Sequence, residues 1–270
     1  MAKTVRATAA GLLEAMASKN KLLLTVDDAI GVTHASRHDA AVFLGQLARR
    51  GILTRLRRGL FAIVPFGKEQ EFGNAFLVAS ALAGSEPHFI SHLGALAFHN
   101  LLTQPSRTVH VTVNKPKRPR EIGPSRFEFV VTPSERIWGF HEEWVTSTDR
   151  APISDLERTI LDGCFRPDLC GGMSEVGRAL WMCRQKLDFD RLVDYVRRYG
   201  KFVVAKRVGH LLDVYQAGQD STRASIREVA ARSLAYSLLD PVLPAEGSYN
   251  SRWRLRLNVS DEELRAVTRT

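Results

Sequence analysis

The sequence predicts an α+β fold: a small basic segment over residues 1–68, followed by a larger mixed α/β domain over residues 74–270. Three observations predict it. Apolar residues recur at helical spacing through much of the chain, while residues 109–113 and 127–131 alternate as strands do. Charge is uneven, with 11 Lys/Arg against 4 Asp/Glu in residues 1–68 and 27 against 25 in residues 69–270, or net +7 and +2. Between the two, residues 67–73 read as a linker.

The 270 residues suit one large domain or two ordinary ones, and the 44% hydrophobic and 25% charged fractions are those of a soluble globular protein. No apolar run approaches the roughly 20 residues that span a bilayer. Residues 1–10 lack the apolar stretch of a signal peptide, so the expected location is the cytoplasm. Cys164, Cys170 and Cys183 form no CxxC pair, and three reduced, buried thiols are expected.

In the first segment, residues 7–16 read as a helix stopped by Ser18-Lys19-Asn20. Thr25 with Asp28 is a helix start of the capping-box type, and Gly31 shortens that helix. Ser36 with Asp39 is the next start. Ala40, Phe43, Leu44 and Leu47 then share a buried face, and Arg49-Arg50-Gly51 ends the helix. Two helices joined by a tight Gly-containing turn make a helix-turn-helix, the second being the recognition helix. A hairpin follows: residues 52–56, a tip at Arg57-Arg58-Gly59, then residues 60–64, closed by Pro65. An Arg-rich hairpin directly after a recognition helix is a wing, so residues 1–68 read as a winged helix-turn-helix.

That reading assigns double-stranded DNA as partner. Thr33, His34, Ser36, Arg37 and His38 stand at the start of the recognition helix, the part that enters the major groove. Arg37 is a candidate for a bidentate contact to guanine, or else for a phosphate contact. Arg55, Arg57 and Arg58 on the wing are expected to hold phosphates. A membrane role would need free bulky apolar residues, and here those build the small core.

In the second segment, helices are expected over residues 74–83, 91–100, 174–184, 190–199, 204–216 and 223–237. A further helix is opened by a capping box at Ser154 and Glu157. Residues 251–258 alternate strictly, as in a sheet-edge strand with three Arg on one face. The loop with Lys115, Lys117, Arg118 and Arg120 is either a second anionic contact or a solvated hairpin tip.

The order of these pieces resembles the AbiEi family of antitoxins and transcriptional regulators. It runs from Arg58-Gly59-Leu60-Phe61-Ala62 and Pro65, through Ser91-His92-Leu93-Gly94-Ala95-Leu96 and Leu156-Glu157-Arg158-Thr159-Ile160-Leu161-Asp162, to Gly171-Gly172 with Glu175. Nearly the whole chain is spanned, by short motifs. The resemblance implies a bacterial type IV toxin–antitoxin role in abortive infection. It further implies that an N-terminal winged helix represses the protein's own promoter at an inverted repeat, and that the second domain counters a nucleotidyltransferase-like toxin without need of a stable complex. The alternatives are a plain winged-helix regulator whose second domain senses a ligand or sets oligomeric state, or a winged helix coupled to a nuclease.

The nuclease chemistry needs a metal-binding Asp and a Glu-x-Lys strand. The strand candidate, Glu128-Phe129-Val130, ends in Val, and no Walker-type, HExxH or Gly-x-Ser-x-Gly motif is present. His88, His92 and His99 read as polar packing rather than as metal ligands. Glu157, Arg158 and Asp162 read as an ion-pair and capping set. The expectation is therefore no catalytic residue, metal or cofactor, and not an enzyme.

Overall fold

The computed structural model describes residues 8–64 and 74–266. Pro65, Lys68 and the expected linker lie outside the described residues. The chain begins with α1 (Ala9–Ala17), β1 (Leu23–Thr25), α2 (Val26–Thr33), α3 (Arg37–Arg49), β2 (Leu53–Arg57) and β3 (Leu60–Ile63). The strands form an antiparallel sheet in the order β1-β3-β2. Helix periodicity puts Leu12, Met16, Ala29, Ala40, Leu44 and Leu47 on inward faces, where they meet Leu24, Leu53 and Phe61 in a first core.

Next come α4 (Ala75–Ala83), β4 (His88–Ser91), α5 (His92–Phe98), β5 (Thr108–Val113), β6 (Arg120–Ile122), β7 (Ser125–Val131), β8 (Phe140–Trp144) and β9 (Arg150–Ser154). A six-stranded sheet runs β6-β7-β5-β4-β9-β8. It is mixed: β5 with β7 and β4 with β9 are parallel, and the other pairs are antiparallel. Helix α4 lies across β4, β5 and β9. Their apolar side chains form a second core with Val78, Ile90, Val111 and Phe127.

The first unit shares that second core. Side chains alternate along β3, so Phe61 enters the first core while Leu60 and Ala62 enter the second. Leu56, at a register shift between Arg55 and Arg57, is also fully buried in the second core. Each such leucine contributes about 1.5–3 kcal/mol by leaving water. The three-stranded sheet therefore packs apolar side chains on both faces, one against its own helices and one against α4 and the larger sheet.

The remainder is mainly helical: α6 (Leu156–Phe165), α7 (Met173–Cys183), α8 (Phe189–Tyr199), α9 (Phe202–Val214), α10 (Asp220–Ala231) and α11 (Asp261–Ala266). With them is a small sheet, β10 (Ser237–Leu238), β11 (Ser248–Asn250) and β12 (Leu255–Leu257). These helices enclose a third core, which buries Cys164, Cys170 and Cys183 as free thiols. Gly209 of α9 lies against the Trp253 indole, and a Cβ there would overlap the ring. Trp253 is thereby seated with its Nε1 donating to Asp213 at 2.7 Å.

The fold is α+β, as the residue pattern implies. Four local expectations change. Gly31 lies inside α2, which runs on to Thr33; the stop is His34, in the left-handed region at φ 53°. The α2–α3 turn thus contains no glycine. Helix α10 ends at Ala231 rather than at 237, because Ser237 and Leu238 pair with β12. Only residues 255–257 of the alternating C-terminal run are a strand. That strand is central, not an edge, because Arg254 turns the chain at φ 51° just before it.

Candidate nucleic-acid interface

Helix α3 is fixed at both ends by local bonds. Ser36 Oγ accepts from the Asp39 amide at 3.1 Å, covering an orphan N–H of the first turn. At the far end Gly51 takes φ 73°, and the Ile52 amide donates to the Leu47 carbonyl at 3.1 Å, as in a Schellman stop. Helix α2 has a complete capping box. The Thr25 amide donates to Asp28 Oδ2 at 2.9 Å and the Asp28 amide to Thr25 Oγ1 at 3.2 Å. Burial works to raise the Asp28 carboxyl, but hydrogen bonds from Lys21 and Thr25 outweigh it and hold the group below the usual carboxylate range.

Between α3 and the β2–β3 hairpin lies a cavity of about 510 Å³. Arg37, Arg55, Arg57 and Arg58 line it, with Asp27 as the one acidic side chain among the lining residues. Ala41 and Gly45 supply small residues on the α3 side of the lining. Such a cleft focuses positive potential between a helix and a hairpin.

The structure separates the eight residues expected at DNA into two groups. Arg37, Arg55, Arg57 and Arg58 are brought together. His38 is exposed on the first turn of α3, beside Arg37 in sequence. Thr33 is not at the start of α3. It closes α2, its hydroxyl donates to the Ala29 carbonyl at 2.7 Å, and the Ala35 amide donates to Thr33 Oγ1 at 3.3 Å. His34 is the α2 cap in the turn, and Ser36 is occupied with Asp39.

Two contacts qualify the arginines. Arg37 Nη1 lies 2.8 Å from Asp27 Oδ1, with both side chains largely exposed. Such a pair is worth about 0–1 kcal/mol, so an incoming phosphate or base edge can replace it. Arg57 Nε donates to the Ala81 carbonyl of α4 at 3.3 Å, tying the hairpin tip to the second unit. Asp27 has no place in the sequence reading of the site. Its signal was its seat in the first turn of α2, which the capping pattern absorbs.

The second basic stretch stands apart. Lys115, Lys117, Arg118 and Arg120 are not among the groove-lining residues. Lys115 Nζ is 2.6 Å from Glu86 Oε1, and this bond holds the Glu86 carboxyl low. Since β5 and β7 are parallel, the stretch is a crossover segment leading into β6, not a hairpin tip.

A buried polar cluster joins α6 to α8. Arg158 Nε donates to Asp162 Oδ1 at 2.9 Å, and Tyr199 Oη donates to the same oxygen at 2.9 Å. Glu157 is fully buried and pairs with Arg191 of α8 at 2.9 Å, so its partner comes from outside its own helix. The cap of α6 is Asp155, accepting from the Arg158 amide at 2.8 Å; Ser154, the expected cap, bonds Thr159 Oγ1 instead. His88 and His99 bond Ser80 and the Ser154 carbonyl. His92 bonds Ser91 Oγ, and burial pushes its imidazole down to about 4. No group of three or more His, Cys, Asp or Glu among the described residues is placed to hold a metal ion.

No protein-family model and no curated protein sequence matches the chain. The fold is similar to the crystal structure of the RV2827C protein from Mycobacterium tuberculosis, with a TM-score of 0.71 at 13% sequence identity. The similarity covers 99% of this chain and 97% of that one. At that identity it concerns the fold.

Proposed function

We propose that the protein is a sequence-specific DNA-binding repressor whose first unit is a winged helix-turn-helix. The observation that carries the reading is the groove of four arginines between α3 and the β2–β3 hairpin, on a unit with the element order α-β-α-α-β-β. A helix of 13 residues beside an Arg-tipped hairpin presents one element to the major groove and another to the flanking phosphates. A mobility shift at physiological salt tests it. The protein should hold an inverted repeat upstream of its own gene more tightly than random DNA, and equal affinity for both would remove the specific repressor.

The AbiEi-like role, with autoregulation and protection from a nucleotidyltransferase-like toxin, is the biological form we propose for this repressor. It rests on the motif order from Arg58-Gly59 to Gly171-Gly172. The cytoplasm is the matching location, and no helix among the described residues is long and apolar enough to cross a membrane. Co-expression with the neighbouring toxin should show protection by the full chain. A folded chain that binds its promoter yet gives no protection would leave a plain regulator.

A further inference from the structure

We propose that a cavity formed by residues 134–138, α6 and α8 binds a small phosphate monoester. The cavity measures about 200 Å³ and is lined by Glu135, Arg136, Trp138, Arg158, Arg198 and Tyr199. It lies outside the arginine groove and shares none of its lining residues.

Three arginines from three segments of the chain line it. Arg158 is buried and fixed. Its Nε is held by Asp162, and Nη1 donates to the carbonyls of Arg136 at 3.0 Å and Trp138 at 2.8 Å. Among the described residues its Nη2 makes no hydrogen bond. Arg198 and Arg158 each lie over the Trp138 ring, 4.4 Å from its centroid. Arg136 faces the Tyr199 ring at 5.8 Å. Stacking on aromatic faces orients these forks before any ligand arrives and keeps them weakly hydrated.

Charge decides the ligand's sign. Asp162 offsets Arg158, while Arg136 and Arg198 form no ion pair among the described residues. Glu135 is exposed and supplies the one carboxylate of the lining. The excess is positive, in a site whose walls are Trp138 and Tyr199. A lining that offers three guanidiniums suits the three terminal oxygens of a tetrahedral phosphate, whereas a planar carboxylate is satisfied by one fork. The volume admits a phosphate and part of its ester group, and is below that of a drug-sized pocket.

Calorimetric titration of the full chain at physiological salt tests the site. The probes are inorganic phosphate, a nucleoside 5′-monophosphate and a hexose phosphate, with the free nucleoside and hexose as controls. At least one phosphate compound should bind and the controls should not; their order of affinity tells which ester is preferred. Arg136→Ala and Arg198→Ala should each weaken binding about tenfold or more with unchanged circular dichroism. Arg197→Ala, at a residue paired with Asp194 outside the lining, should leave affinity unchanged. Binding of none of the three phosphates, or binding that neither Arg136→Ala nor Arg198→Ala weakens, would overturn the proposal. Promoter binding is a separate measurement, and neither result depends on the other.

Discussion

At the scale of single residues, the proposed DNA-binding role predicts different duties for arginines that look alike in sequence. Arg58 stands at the hairpin tip, where the proposed DNA-binding role would have it meet backbone phosphates. Arg58→Ala should weaken binding to all duplexes and reduce the log–log salt slope by about one unit. Arg37 stands on the first turn of α3, and Arg37→Ala should lose about 1–3 kcal/mol of discrimination at one base pair. Mobility shifts on specific and random duplexes over a salt series separate the two effects, and equal losses on both would reassign Arg37 to the backbone. Asp27 pairs with Arg37 at 2.8 Å, and under the proposed role it would compete with DNA for that guanidinium. Asp27→Asn should therefore tighten promoter binding, by up to about 1 kcal/mol.

His92 makes a residue-scale prediction that is independent of DNA. Burial is the main cause of its low affinity for protons; His110 and Arg158 act in the same direction and Asp162 opposes them. The folded-state value of about 4 lies below the ordinary value of 6.5. Between those values the unfolded chain takes up a proton that the folded chain refuses, so stability is present above pH 6.5 and is lost as pH falls toward 4. The loss is about 3 kcal/mol. Urea midpoints across that window should fall, and His92→Asn, a residue that accepts the φ of 48° found there, should flatten the profile. His110 is shifted down by burial as well, so some slope should remain.

At the scale of elements, the α2 cap carries a measurable share of the first unit's stability. Thr25→Ala removes the hydroxyl that serves the Asp28 amide and should cost about 1 kcal/mol in thermal or urea unfolding. Asp28 is held below its ordinary carboxylate value, so its contribution is present near neutrality and is lost as acid protonates it. An unchanged stability for Thr25→Ala at pH 7 would mean that the box merely accompanies the helix.

These elements also divide what the residue pattern makes legible from what it hides. The caps at Thr25 and Ser36, the stop at Gly51 and the strands β5 and β7 follow from neighbours in sequence, and they stand where the pattern puts them. The α2–α3 turn misleads because glycine is the usual left-handed residue, and here His34 takes that conformation three positions after Gly31. The end of α10 misleads because helix propensity continues past Ala231, while pairing with a strand some 18 residues on decides the matter. For the groove, the four arginines are legible from composition and position. The pairing of Arg37 with Asp27 depends on how α2 crosses α3. The phosphate cavity is hidden altogether, because Arg136, Arg158 and Arg198 come from three distant segments.

At the scale of the whole molecule, the division at residues 68–74 crosses a shared core. Leu56, Leu60 and Ala62 of the first unit pack with Val78, Leu82 and the larger sheet. Arg57 bonds the Ala81 carbonyl, and Thr148 Oγ1 donates to the Asn20 carbonyl at 3.2 Å. Separating the halves would expose those leucines on one side and α4 on the other. The two regions should therefore unfold together. All four tryptophans, Trp138, Trp144, Trp181 and Trp253, lie in the second region, so indole fluorescence follows that region alone. Amide protection at Leu44 and Leu47, buried in the first core, follows the other. Both probes should report one urea midpoint. Leu56→Ala deletes a fully buried side chain at the junction and should cost about 2–5 kcal/mol. Because α4 loses its contact while the third core is untouched, the variant should also split the two midpoints, with protection at Leu44 and Leu47 lost first. Two separate transitions in the unsubstituted chain would instead show that the hairpin face and α4 touch without coupling.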